Sequence, residues 1–66
     1  MAIQTLNDFK EAVTHELESL MFIKAISKFV CRKAIVEVQD FTTMDMDCMG
    51  VSEAADIALG QIGVIV

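Results

Sequence analysis

The sequence predicts an α+β fold: a long N-terminal helix, a small sheet from residues 34–49 and 62–66, and a short helix over residues 52–60. Three observations lead there. Leu6, Phe9, Val13, Leu17 and Leu20 recur at helical spacing, the apolar residues after Lys33 alternate with polar ones, and two glycines, Gly50 and Gly60, bracket a short amphipathic stretch.

The first helix starts at Thr5, an N-cap with Asp8 three residues on. Asp8, Glu11, Glu16 and Glu18 lie toward its positive end, and Lys24, Lys28, Arg32 and Lys33 toward its negative end, so charge order favours one helix over residues 6–32. Its apolar face then changes sides. Phe22, Ile23, Ile26, Phe29 and Val30 follow the first stripe after a two-residue step, which at ~100° per residue turns the face by roughly 200°. A continuous helix of ~27 residues spans ~40 Å, against a diameter of roughly 28 Å for a compact domain of this size. Either the helix projects, or it breaks near residues 19–21 to give two helices on a shared core.

Residues 34–41 are rich in β-branched side chains, with Ala34, Val36 and Val38 alternating against Glu37 and Gln39, which reads as a strand. Residues 43–49 alternate too, Met44, Met46 and Cys48 against Thr43, Asp45 and Asp47, as a second strand or an extended loop. Gly50 permits a turn, Ser52 caps the short helix, Gly60 ends it, and residues 62–66 form a closing strand.

The chain has 66 residues, 55% of them apolar, and forms one small domain of marginal stability unless disulfides, a metal or other subunits support it. Two cysteines, Cys31 and Cys48, allow at most one bridge, and the N-terminus does not read as a secretory signal, so a reducing, cytoplasmic setting is expected. One histidine and the absence of a CxxC pair argue against structural zinc. Oligomerisation remains. A net charge of −5 disfavours a broad nucleic-acid surface, and no apolar window is long enough for a membrane span.

Four constellations carry chemistry weakly. Asp45, Asp47, Gly50, Glu53 and Asp56 match several positions of a calcium-loop template, but Met49 stands where an oxygen ligand belongs and Asp56 where glutamate does. Met44, Met46, Cys48 and Met49 could ligate a soft metal and more commonly fill a core. His15 is the obvious general base, with no nucleophile or second acid assigned to it. Lys24, Lys28 and Arg32, at i, i+4 and i+8, line one helix side beside Lys33; they are the contact residues of a nucleic-acid reading, but four cations are few for duplex binding.

The second apolar face of Phe22, Ile23, Ile26, Phe29 and Val30 is the stronger feature, either as core or as an interface anchored on aromatic side chains. The function expected is a small non-enzymatic interaction module without cofactor or metal. It would be a homo-oligomeric accessory, regulatory or inhibitory protein on a larger protein partner, with the acidic stretch over residues 40–56 as a second contact region. A dimeric nucleic-acid-binding regulator is the alternative, and an enzyme using His15 comes third.

Overall fold

Residues 5–63 are described in a computed structural model, and among them every regular element is helical: α1 (Leu6–Ile23), α2 (Lys28–Val38), α3 (Thr43–Cys48) and α4 (Val51–Gln61). The expected α+β architecture is therefore corrected to an all-helical one.

α1 begins as its sequence indicates, with the Thr5 hydroxyl accepting from the Asp8 amide at 3.1 Å. Phe9, Val13, Leu17 and Leu20 form one buried stripe along it. Burying side chains of this size stabilises by about 1.5–3 kcal/mol each before entropy is counted. The helix does not run to Arg32. It ends where Ala25 takes a left-handed conformation (φ 54°), after the Lys24 amide donates to the Leu20 carbonyl at 2.9 Å. Ser27 then caps α2, its hydroxyl accepting from the Val30 amide at 3.2 Å. The break lies at residues 24–27, later than the alternative site at residues 19–21. An 18-residue α1 is ~27 Å long and fits within a molecule measuring 30 × 22 × 16 Å. A helix of this length does not project from the molecule.

Of the segment read as the first strand, residues 34–38 are the second half of α2 and residues 39–41 belong to the connection after it. The buried residues of α2, Cys31, Ala34 and Val38, keep helical spacing, while Val36, placed on their side by the alternating pattern, is 67% exposed. Residues 43–48 form α3 because Thr42 and Asp45 build a complete capping box, which outweighs the alternation. α4 matches the expected short helix, extended by one residue at each end. Gly50 is its N-cap, and Ser52 lies inside the first turn with its hydroxyl 3.4 Å from Glu16 Oε2. Gly63, at φ 84°, occupies the left-handed position after the helix. Of the closing strand, Ile62 and Gly63 form a turn, and residues 64–66 lie outside the described residues.

Ala54, Ala55, Ala58 and Leu59 are fully buried and bring α4 against both α1 and α2. Alanine at three of these positions lets the backbones approach closely, so three helices share one core. α3 packs on α1 and buries no residue fully.

Candidate interaction surface

The corner between α1 and α2 leaves large apolar side chains in water. Phe22 is 86% exposed, Ile23 73% and Phe29 76%. Helical geometry explains why. On α1, Phe22 projects about 175° from the mean direction of the buried stripe; on α2, Phe29 and Val36 project about 170–180° from that of Cys31, Ala34 and Val38. The second apolar stripe does not continue along one helix: Phe22 and Ile23 end α1, Ile26 lies in the corner, and Phe29 and Val30 begin α2. Ile26 and Val30 are half-buried and pack against the core, whereas Phe22, Ile23 and Phe29 do not.

The four cations lie close in sequence to these residues. Lys24 is the C-cap of α1 and Lys28 the first residue of α2, so the corner interrupts the line that one helix would have made. Lys28 and Arg32 keep their i, i+4 relation. Arg32 and Lys33 flank the Phe29–Val36 stripe on either side, by about 50° each. All four are exposed, and among the described residues none is in an ion pair. The sequence reading missed that exposed aromatics accompany the cations; where the helix ends was the undecided quantity. Expected at the negative end of one helix, Lys28, Arg32 and Lys33 instead stand in the N-terminal half of α2, and Lys28, in its first turn, meets the unfavourable end of the dipole.

The opposite end of α2 is acidic. Glu37, Asp40 and Asp45 line a groove of about 300 Å³ together with Phe41, Met49 and Ile57. Phe41 also packs on Phe9, with ring centroids 6.0 Å apart. Residues 22–36 carry four cations and no acid, and residues 37–63 carry six acids and no cation.

The remaining constellations do not converge. Asp45 and Asp47 lie in α3, and the Asp45 carboxylate is engaged with Thr42, so this part of the calcium-loop pattern is helix and not loop. Among the described residues no group of three or more His, Cys, Asp or Glu side chains is placed to hold a metal ion. Met46 and Met49 pack on the core while Met44 and Cys48 are exposed, so the soft donors are divided between interior and surface. His15 Nδ1 lies 3.5 Å from Glu18 Oε1, with its side chain 83% exposed. It borders a shallow polar groove in which Lys10 Nζ donates to the Gln39 carbonyl and the Thr14 hydroxyl to the Lys10 carbonyl, each at 2.9 Å.

Cys31 is buried and Cys48 exposed, both as free thiols. Burial, with a smaller contribution from the Glu18 carboxylate, pushes the Cys31 thiol above its ordinary range. Among the described residues no helix is long and apolar enough to cross a membrane. Compared with known protein families, with curated proteins and with solved structures, the chain matches none.

Proposed function

We propose that this chain is a small non-enzymatic interaction module, an accessory, regulatory or inhibitory protein that acts in the cytoplasm by covering part of a larger protein's surface. The observation that carries this reading is the corner: Phe22, Ile23 and Phe29 stand in water, Phe22 and Phe29 on helix faces turned away from the core. Aromatic anchors that become buried on binding commonly dominate binding energy, and large apolar side chains left in water mark candidate contact sites. Substituting Phe29 by aspartate tests it. Because Phe29 points away from the core, the Phe29→Asp variant keeps its helical circular dichroism while losing proteins that the native chain captures from a lysate of its own source. Capture unchanged by the substitution would reject the reading.

A second reading draws on the exposed Lys24, Lys28, Arg32 and Lys33 interleaved with Phe22 and Phe29. Cations that track a backbone beside aromatics that stack on bases are what single-stranded nucleic acid requires. Binding of an oligothymidine that weakens steeply with salt and is lost in Lys24→Glu, Lys28→Glu would favour this regulator over the protein partner.

A further inference from the structure

We infer that the occupant of the basic corner is a second copy of this chain, whose acidic groove at Glu37, Asp40 and Asp45 receives Phe29 and its flanking cations. The inference rests on the corner being a contact surface and adds what it contacts.

The two ends of α2 are complementary. α2 has 11 residues and is ~16 Å long. Its first turn carries Lys28 and Phe29 beside Lys24; its last turn carries Glu37, followed by Asp40, at the mouth of a groove whose apolar lining is Phe41, Met49 and Ile57. Pairing like ends of two copies would set cations against cations or carboxylates against carboxylates, and such juxtapositions cost several kcal/mol in general. Antiparallel pairing of two α2 helices instead brings each corner to the other copy's groove. The arrangement closes with two-fold symmetry, the commonest form of soluble oligomer. It also covers the Phe29–Val36 stripe, which runs along the outer face of α2 between the two ends.

The experiment uses two charge-reversed forms of the whole chain. Lys28→Glu, Arg32→Glu reverses the corner, and Glu37→Lys, Asp40→Lys reverses the groove. None of the four side chains is fully buried, and circular dichroism verifies folding in each. By light scattering the native chain should form a dimer, twice the 7.3 kDa monomer mass, which dissociates as salt is raised. Each reversed form alone should dimerise at least about tenfold more weakly. Mixed in equal amounts, the two should recover a dimer, because a reversed corner again meets a reversed groove.

A monomer mass across the dilution series overturns the proposal, as does a dimer indifferent to either reversal or a mixture that fails to recover. If either reversed pair prevents folding, the single changes Arg32→Glu and Asp40→Lys decide by the same criterion. Monomers that bind anionic phosphatidylserine vesicles or an oligothymidine through the corner also overturn it, and name a lipid or nucleic-acid occupant. A monomer that still loses captured protein on Phe29→Asp ends this proposal alone; a dimer that captures nothing ends the larger-partner reading and leaves this one standing.

Discussion

Thr42 and Asp45 hold each other's backbone at the start of α3: the Asp45 carboxylate accepts from the Thr42 amide at 2.8 Å, and the Thr42 hydroxyl accepts from the Asp45 amide at 3.3 Å. Two amides that a helix start leaves unpaired are satisfied by this exchange. Thr42→Ala should therefore lower stability by about 1 kcal/mol. Urea unfolding followed by circular dichroism checks it, and an unchanged midpoint would mean that α3 does not depend on its cap.

Val36 and Val38 separate the helical arrangement from the strand reading. Val38 is fully buried and Val36 is 67% exposed, although an alternating strand would put both on one face. Val36→Asp should leave each chain helical, because Val36 faces away from the core. Val38→Asp places an unpaired carboxylate in the core and should unfold it. Equal damage by the two substitutions would restore the strand.

Ala25 adopts a left-handed conformation without being glycine. Relieving that conformation gains about 1–2 kcal/mol, and the added freedom of an unfolded glycine costs about 0.4–1 kcal/mol, so Ala25→Gly should be neutral or mildly stabilising. Ala25→Val, β-branched at positive φ, should lose roughly 1–3 kcal/mol. Thermal melts of the pair decide this; a glycine variant that melts well below the native chain would remove the corner as the point of strain.

Cys31 sets a pH dependence. Its thiol pKa is raised in the folded state by burial and by Glu18, so the folded chain holds that proton where the unfolded chain releases it. The contribution is fully present below the unfolded thiol's value of about 8.5 and declines as pH rises past it, up to the folded value. Stability measured by urea should fall over that window in the native chain and fall less in Cys31→Ala. Alkylation of the folded protein should label the exposed Cys48 well before Cys31.

Much of this could be read from residues, and the failures have local causes. The start of α1 and its buried stripe follow from spacing and capping, and α4 from the spacing of its apolar residues, although its N-cap is Gly50 and not Ser52. The sheet was misread because Ala34 and Val38 satisfy a period of two and an i, i+4 relation equally well, leaving Val36 to discriminate. The Thr42–Asp45 capping box and the Ser27 cap were both present in the sequence and were outweighed by alternation and by the lack of glycine or proline near residue 25. The outward azimuth of Phe22 was legible from the α1 stripe; that of Phe29 was not, because it is set by α2, whose second half reads as a strand. The exposure of both depends on where α1 stops and on which side α4 covers.

The unequal seating of α3 and α4 has a consequence for motion. α4 is wedged between α1 and α2 with four residues fully buried, whereas α3 rests on α1 alone and buries none completely. Local opening follows buried contact, so amide protons of α3 should exchange with solvent through small fluctuations that leave the rest intact. Those of α4 should exchange only when the whole molecule opens. The wall of the acidic groove that includes Asp45 is then the part that breathes, while Ile57 opposite it is held on a helix with four fully buried residues.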